Sequence, residues 1–415
     1  MKTAIINGMI FDAVSGTTRK NGAVILEDGK ILAVLENVRE ADSYSVEETI
    51  GLGEEECLLP GLIDAHVHLA FGGVDKREKA DSAPYRQMRF IQNGIINLMH
   101  GVTTLRDCGA ADGLDINYKR ALSRHITIGP HLHVCGQPLI ASGGHCTYMG
   151  RQVDGPYEAR KGTREQLDKM VDFIKIMVTG GISTPTGTPC TAQLKMDEIE
   201  AIIDIAHMNG KYVSVHLQGG DSLIPCVEAG VDTVEHGIFL TREGIDCMKR
   251  HGVYYIPTLS AIKMIADKGA EESVPLDHVS IEKAKAATAA HRESFLAAVE
   301  AGLVIGAGTD YKHGILADEL ETMVEYGWTA KDALLAATRN NAQILRIEDR
   351  AGTIEAGKNA DLLVVEGDPT QCVSHVRNVR MVFLDGERVV QDGMLAYPLT
   401  YLVEPIQSIS NSGKG

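Results

Sequence analysis

The chain lacks an excess of basic residues. Its 415 residues include 40 lysines and arginines against 56 aspartates and glutamates, which gives a formal net charge of −16. Nucleic acids and anionic membranes present phosphate groups, and a surface that binds them needs an excess of lysine and arginine. We therefore expect neither nucleic acid nor a membrane as a partner. A small-molecule substrate is still allowed, because a local site can oppose the global charge.

Long apolar runs and paired cysteines are also missing. No uninterrupted apolar stretch is long enough to span a bilayer, and the first residues show neither the apolar core nor the cleavage pattern of a secretory signal. The eight cysteines stand singly, without a Cys-x-x-Cys pair. Reduced thiols and a cytoplasmic location are therefore expected. The cysteine spacing also offers no zinc-ribbon signature.

Two kinds of sequence pattern divide the chain. Near both ends, short apolar segments are separated by turns that include Asp-Gly, a pattern typical of antiparallel hairpins. This predicts one small β-sandwich domain formed by residues 1–57 and 359–415. Between them, apolar strands alternate with helix-like stretches, as they do when parallel strands are joined by helices. Residues 58–358 are therefore predicted to form a (β/α)8 TIM barrel. A doubly wound sheet is the alternative, but no Gly-x-Gly-x-x-Gly turn supports it.

Polar side chains stand at the carboxyl ends of several predicted strands, where barrel enzymes place their chemistry. These residues are His66 and His68 on the first strand, Lys175 on the fourth, His216 on the fifth, His236 on the sixth and Asp310 on the eighth. Alternate residues of a strand face the same side, so His66 and His68 face the barrel interior together. A single histidine on a strand is more often a core residue than a ligand. Four histidines and a carboxylate at one end of a barrel indicate a metal site, because zinc and similar ions favour such ligands.

Lys175 is an unexpected residue at its position. It interrupts the apolar run FIKIMVTGG (173–181), and such a run is typical of a strand that is buried on both faces. Lysine is seldom buried without a partner. The sequence therefore predicts a special environment for this amine.

Two further polar pairs are interpreted as structural. His131 and His133 form a second His-x-His pair, which we do not assign to the metal site. Arg106 and Asp107, at the end of the second predicted strand, are expected to form a buried ion pair that supports the site rather than to act in catalysis.

Motifs along nearly the whole chain resemble one enzyme family. They are PGLIDAHVHL (60–69), GVTTLRDCG (101–109), GGH (143–145), IKIMVTGG (174–181), VSVHLQGG (213–220), GVDTVEHG (230–237), IPTL (256–259), GTD (308–310) and AGTIEAGKNADLLVVEGDP (351–369). In combination they resemble the amidohydrolase superfamily, in the branch of prolidase-like metal-dependent dipeptidases and imidazolonepropionase-like sequences. The resemblance implies a metal-bearing (β/α)8 barrel with a β-domain built from both ends of the chain.

The resemblance also implies a binuclear centre with two divalent metal ions, for which zinc is the expected metal. His66, His68 and Asp310 would hold the more buried ion, and His216 and His236 would hold the second. Lys175 would be carboxylated by carbon dioxide and would bridge the two ions. A bridging hydroxide would be the nucleophile, and Asp310 would pass its proton to the leaving amine.

Two residues are expected to meet the substrate. His145 matches a histidine that in these relatives lies close to the substrate and can hydrogen-bond its carbonyl or carboxylate, so it is a candidate for both catalysis and binding. Gln218 stands where many close relatives have a tyrosine, and it can donate to an oxyanion or to a carboxylate. The loop STPTGTPC (183–190) is expected at the rim of the substrate site.

The expected function is hydrolysis of an amide bond in a dipeptide or an N-acyl amino acid. The alternative is a ring-opening hydrolase or a deaminase that acts on a heterocyclic small molecule. Lys175 counts against this alternative, because mononuclear relatives of that kind do without a bridging lysine, although ring-opening members with two metals also exist. A non-catalytic protein on an enzyme scaffold is a third possibility, but no ligand or proton shuttle is missing. We also expect a homo-oligomer.

Overall fold

The computed structural model describes residues 2–70, 82–182, 184, 188–268, 277–310 and 312–396. The strands in this part of the chain are β1 Lys2–Asp12, β2 Thr17–Lys20, β3 Ala23–Glu27, β4 Lys30–Leu35, β5 Glu48–Pro60, β6 Leu62–Val67, β7 Val102–Asp107, β8 His131–Val134, β9 Leu139–Ile140, β10 Arg151–Gln152, β11 Ile174–Met177, β12 Val213–Gly219, β13 Thr233–Phe239, β14 Tyr254–Ile256, β15 Leu362–Glu366, β16 Val379–Leu384, β17 Glu387–Gln391 and β18 Met394–Leu395.

Most helices lie between the strands of the middle part of the chain. They are α1 Ala83–Met99, α2 Leu114–Ser123, α3 Gly155–Asp168, α4 Met196–Met208, α5 Leu223–Ala229, α6 Arg242–His251, α7 Leu259–Lys268, α8 His278–Ala301, α9 Leu316–Glu325, α10 Ala330–Leu335 and α11 Asn341–Ile344. Short 3-10 helices cover Val38–Tyr44, Ala111–Gly113 and Val373–Arg377, and a π-helical turn covers Ala336–Asn340. No helix of the described residues is both long and apolar enough to cross a membrane.

Segments from the two ends of the chain share one sheet. Its order is β18-β17-β16-β15-β5-β1-β3-β4, and β2 pairs with β1. The contact between the two ends is the antiparallel pairing of β5 with β15, in which Leu58 lies opposite Val364. Apolar side chains from both ends, including Ile5, Ile10 and Leu362, form one core on this sheet. The division into two domains stays a prediction, and residues 397–415 of the predicted small domain lie outside the described residues.

The middle of the chain contains parallel strands alternating with helices. One sheet has the order β6-β7-β8 and the other β10-β9-β11-β12-β13-β14. These strands include seven of the eight that the sequence predicts. The eighth segment, residues 304–310, forms two parallel bridges, Ile305 with Tyr255 and Asp310 with Val67. It therefore lies between β14 and β6 and brings Asp310 beside the first predicted strand.

Helices cover the parallel strands. All residues of β11 and β12 are buried; β11 is an apolar run interrupted by Lys175, whereas β12 carries Ser214, His216 and Gln218 at alternate positions. In α4, the buried Ile199, Ile202, Ile203 and Ala206 follow the spacing of one helix face. They join the strands in one apolar core. A polar side chain within these strands is therefore cut off from solvent except at the strand ends.

Candidate metal centre

Two histidines and one aspartate meet at the carboxyl end of β6. His66 and His68 are buried, and the Nε2 atom of each lies 3.7 Å from Oδ1 of Asp310. One ligand atom from each of the three residues lies within 4.8 Å of the others. The two imidazoles share a side because they stand two residues apart on an extended strand. These three side chains can hold one ion.

The backbone fixes Asp310 against β6. Its N–H donates to the carbonyl of His66 at 2.7 Å, and its own carbonyl accepts from the N–H of His68 at 2.8 Å. Asp310 has a φ of 70°, the left-handed region that aspartate tolerates better than most residues. A Cβ on Gly308 would lie 2.7 Å from the Cβ of His66. Glycine at this position therefore allows the eighth segment to approach the metal ligands.

His216 on β12 and His236 on β13 form a second histidine pair. Their ring centroids are 4.5 Å apart, and the ring of His236 is 5.0 Å from that of His66. His236 Nδ1 lies 2.7 Å from the hydroxyl of Thr258, so its Nε2 is the atom left for a ligand role. His216 Nε2 lies 3.2 Å from the carbonyl of Gly180. Among the described residues, no third histidine, cysteine, aspartate or glutamate completes a group with this pair.

Lys175 on β11 lies inside the same cluster. It is 1% exposed, and its Nζ has no hydrogen-bond partner within the described part of the chain. The pKa of His216 is lowered first by burial, then by the charge of His145 and then by that of Lys175. A buried amine that makes no hydrogen bond is costly. The side chain therefore lacks the group that would compensate its burial.

The electrostatics of three of the four histidines suit a divalent metal ion. Burial, followed by the charges of neighbouring histidines, lowers the pKa of His68, His216 and His236 well below 6.5. Neutral imidazoles keep the lone pair that a metal ion needs. His66 Nε2 and Lys175 Nζ are buried atoms without a hydrogen-bond partner. Nitrogen ligands with one carboxylate therefore fit an ion of the zinc class.

Glu235 is a site residue that is absent from the sequence prediction. Its Oε2 lies 2.7 Å from Nδ1 of His66, and its Oε1 accepts from the guanidinium of Arg106 at 2.7 Å and the hydroxyl of Ser214 at 2.7 Å. Burial alone would raise the pKa of Glu235, but Arg106 holds it well below its usual range. The carboxylate therefore takes the Nδ1 proton of His66 as a hydrogen bond and leaves Nε2 as the ligand atom.

The sequence contains a weak signal for Glu235, which is an acidic residue inside the buried motif TVEHG. Strict alternation along β13 would place Glu235 and His236 on opposite faces. His236 has a φ of 69°, so the strand is not extended there and both side chains reach the cluster. Only the tertiary structure shows this.

The predicted ion pair between Arg106 and Asp107 is wrong. Arg106 is paired with Glu235 at 2.7 Å, whereas the carboxylate of Asp107 accepts the backbone N–H groups of Leu69 at 2.8 Å and Gly109 at 3.0 Å. Consecutive residues of β7 face opposite sides of the strand, so the two side chains cannot meet.

Glu235→Gln is expected to weaken metal binding and activity by about 10–100-fold, the usual cost of losing an outer carboxylate that orients a ligating histidine. The amide keeps the size of the side chain but not its charge. Metal affinity is measured by competition with a chelator, alongside kcat/KM. Ser214→Ala is the matched control, because it removes a different hydrogen bond to the same carboxylate. Unchanged metal affinity in Glu235→Gln would contradict the role.

Buried histidines outside the ligand set predict a pH effect on stability. The ring of His291 lies 3.0 Å from the carbonyl of His236, and burial lowers its pKa from 6.5 to about 4. Between these values the unfolded chain binds a proton at His291 and the folded chain does not. The free energy of unfolding therefore loses up to about 1.4 kcal/mol per pH unit as the pH falls.

His291→Gln removes this titration. We expect the difference in thermal midpoint between the natural chain and this variant to shift in favour of the variant as the pH falls from 6.5 to about 4. A scanning-calorimetry series across this range measures it. A difference that does not change with pH would contradict the prediction.

His145 and Gln218 lie at the edge of the cluster. The ring centroid of His145 is 4.4 Å from that of His216, and its Nδ1 lies 2.9 Å from the hydroxyl of Thr184. A Cβ on Gly181 would lie 2.5 Å from the imidazole of His145, so a larger residue there would displace this ring. Gln218 is buried, and its Oε1 has no hydrogen-bond partner among the described residues. Residues 183 and 185–187 of the predicted rim loop lie outside the described part.

Comparison with known proteins identifies the family and the fold of the chain. A profile of the amidohydrolase family matches residues 57–395. A crystal structure of a Xaa-Pro dipeptidase with bound methionine in its active site superposes with a TM-score of 0.86 at 30% identity, and the match covers 94% of this chain and 99% of that one. The α/β fold is thus shared with this enzyme.

Two curated relatives are similar along most of their length. The ochratoxinase of Aspergillus niger is 26% identical over 406 residues, which cover 89% of this chain and 82% of that protein. The imidazolonepropionase of Fusobacterium nucleatum subsp. nucleatum is 24% identical over 386 residues, with coverage of 83% and 85%. The resemblance seen in the sequence motifs is thereby confirmed. The chain belongs to the amidohydrolase family and is an enzyme that hydrolyses carbon–nitrogen bonds.

Proposed function

We propose that this enzyme hydrolyses the amide bond of a dipeptide or an N-acyl amino acid at a centre of two divalent metal ions. The observation that supports the second ion is Lys175, a buried amine without a hydrogen-bond partner among the described residues. It lies in the cluster with four histidines and Asp310. The similarity to a Xaa-Pro dipeptidase supports a substrate of the dipeptide class.

The second ion needs a ligand that the unmodified side chains do not supply. His216 and His236 offer two nitrogens, and no further histidine, cysteine or carboxylate of the described residues completes their group. A carbamate on Lys175 supplies oxygens instead. It forms when the neutral amine nitrogen bonds to the carbon of carbon dioxide and loses a proton. The product is an anion with two oxygens, which can serve both histidine groups.

Two ions held by these residues would lower the pKa of a water that serves as the nucleophile and would polarise the scissile carbonyl. The protein residues have separate tasks. Asp310 accepts the proton of the attacking water at its carboxylate and transfers it to the leaving nitrogen. Glu235 keeps the Nδ1 proton of His66 in place. His145 and Gln218, at the edge of the cluster, are placed to hydrogen-bond the substrate's carbonyl or carboxylate.

The pairing of the strands also supports a closed barrel. We propose that the two parallel sheets and residues 304–310 close into a (β/α)8 barrel over residues 58–358. The bridges of Ile305 to β14 and of Asp310 to β6 support closure on one side. Residues 2–57 and 359–396, the described part of the two ends, then form the small β-sandwich domain. The cytoplasmic location and the homo-oligomer stay predictions.

A hydrolysis panel tests the proposed function. Metal-loaded protein is assayed for release of free amino acid from Xaa-Pro and other dipeptides and from N-acyl amino acids. Turnover of one class, dependent on metal and lost with a chelator, is the expected result. No turnover of any member would overturn the amide-bond assignment.

The second candidate is ring opening of a heterocycle, which the similarity to imidazolonepropionase favours. Metal stoichiometry discriminates between the two functions. About one catalytic ion at full activity, measured by elemental analysis of a variant that lacks any further metal site, supports the heterocycle, whereas dependence on a second catalytic ion supports the binuclear amide hydrolase.

A further inference from the structure

We propose a separate metal site formed by His131, Asp361 and Asp385, at the opposite end of the parallel strands from the catalytic cluster. Each of the three residues offers one ligand atom within 4.8 Å of the others. His131 is the first residue of β8, whereas His66, His68 and Asp310 of the catalytic cluster meet at the carboxyl end of β6. Asp361 stands immediately before β15, and Asp385 stands in the turn between β16 and β17. The ligands thus join a parallel strand to the terminal sheet.

The distances fit a metal ion better than a direct ion pair. Nε2 of His131 lies 3.3 Å from Oδ2 of Asp361 and 3.4 Å from Oδ1 of Asp385. A charge-assisted N–H···O bond is usually about 2.7–2.9 Å long. In a tetrahedral zinc site with ligand bonds of about 2.0–2.1 Å, neighbouring ligand atoms stand about 3.3–3.4 Å apart. The observed separations are those of the edges of such a tetrahedron.

Two of these ligand atoms are buried and make no hydrogen bond of good geometry within the described residues. They are Nε2 of His131 and Oδ2 of Asp361, which face each other at 3.3 Å. Asp361 is 6% exposed, and its other oxygen is already engaged, since it accepts the N–H of Asp385 at 2.9 Å. A buried carboxylate oxygen without a hydrogen bond is costly. A cation between the three groups satisfies both atoms at once.

A cavity of about 590 Å³ lies beside the three ligands, which all belong to its lining. His133 lines the same cavity, is 8% exposed, and has an Nδ1 without a hydrogen-bond partner in the described structure. Three protein ligands leave one position for water or for a small ligand from this cavity. One neutral imidazole and two carboxylates balance the charge of a divalent ion.

The alternative to a metal ion in this cluster is a proton on His131. Burial alone would lower the pKa of His131, but Asp361 and Asp385 raise it to about 10 when no metal is bound. An imidazolium between two carboxylates and a metal ion among the same atoms therefore have to be distinguished by measurement.

Asp385→Asn tests the site in the full-length enzyme, with Asp392→Asn as the matched control. Both aspartates stand in Asp-Gly turns of the terminal sheet with a φ of 48° and 50°, a conformation that asparagine also adopts. Zinc per chain is measured by elemental analysis after equilibration at a fixed free zinc concentration. The natural chain and Asp392→Asn are expected to bind one equivalent more than Asp385→Asn. The thermal midpoint should rise more with added zinc where that equivalent is bound, because zinc at the catalytic cluster stabilises all of these proteins alike.

The difference between variants tests the site independently of the catalytic centre, whatever number of ions that centre holds. We expect kcat to be the same in all three proteins. His131→Gln provides a second variant at an independent ligand and should lose the same equivalent. Equal zinc content and equal zinc-dependent stabilisation in all four proteins would overturn the proposal and assign the cluster to a protonated histidine.

Discussion

Lys175→Ala is expected to lose the second metal ion and to reduce kcat/KM by at least about 10³-fold. The physical reason is the ligand shortage around His216 and His236, with which no third histidine, cysteine or carboxylate of the described residues completes a metal-binding group. Without the carbamate these two nitrogens hold an ion weakly. Loss of its Lewis acidity removes several kcal/mol of transition-state stabilisation, and each 1.36 kcal/mol is a factor of ten in rate. Elemental analysis and steady-state kinetics measure both effects.

Lys175→Met is the matched control for folding. Methionine fills a similar space without an amine, and the amine of Lys175 has no hydrogen-bond partner in the described residues. The metal-free Met variant should therefore have a thermal midpoint equal to or above that of the metal-free natural chain. Incorporation of ¹³C-labelled carbon dioxide, followed by NMR, should be seen in the natural chain and in neither variant. Retention of both ions in Lys175→Ala would make the lysine a packing residue and would remove the basis of the two-ion centre.

Asp310→Asn is expected to lower kcat by about 10²–10⁴-fold, the usual contribution of a positioned general base and acid. The amide oxygen can still act as a neutral ligand, and asparagine tolerates the φ of 70° at this position. The ions should therefore be retained better than the activity. Metal content and kcat, measured on the same preparation, separate the two roles of the side chain.

Two other results would give Asp310 a different role. A variant that keeps its metal ions and more than a tenth of the natural kcat would exclude Asp310 as the proton carrier. Loss of metal in parallel with activity would instead show that ligation is its main role. Asp107→Asn is a suitable comparison, because Asp107 is buried nearby but its carboxylate accepts only backbone N–H groups in the described structure.

The sequence by itself determined the parts of this enzyme that depend on local periodicity. The spacing of His66 and His68 places both rings on one side of β6, because alternate residues of a strand share a face. The apolar run around Lys175 predicted a buried strand, and β11 is buried throughout. Alternation of strands and helices predicted parallel strands, because parallel pairing needs a crossover connection. These features follow from a few neighbouring residues.

Contacts between distant segments were decided only by the tertiary structure. Glu235 accepts a hydrogen bond from Arg106 and contacts His66, which lies 169 residues away in the chain. No local sequence pattern predicts a contact over that separation. The sequence placed Arg106 with its neighbour Asp107, but strand alternation separates neighbours and long-range packing chooses the partner. The backbone at His236 is left-handed, so the consecutive side chains of Glu235 and His236 both reach the metal cluster. This conformation is likewise imposed by the surrounding structure.

The two His-x-His pairs show the same limit. His66 and His68 stand at a carboxyl end among other histidines, so a family motif already pointed to a metal. His131 and His133 do not stand among other predicted metal ligands in the sequence. Asp361 and Asp385 reach His131 only because β15, β16 and β17 fold back against the amino end of β8. A strand's period fixes which side a ligand faces, but only the packed chain fixes which ligands share an ion.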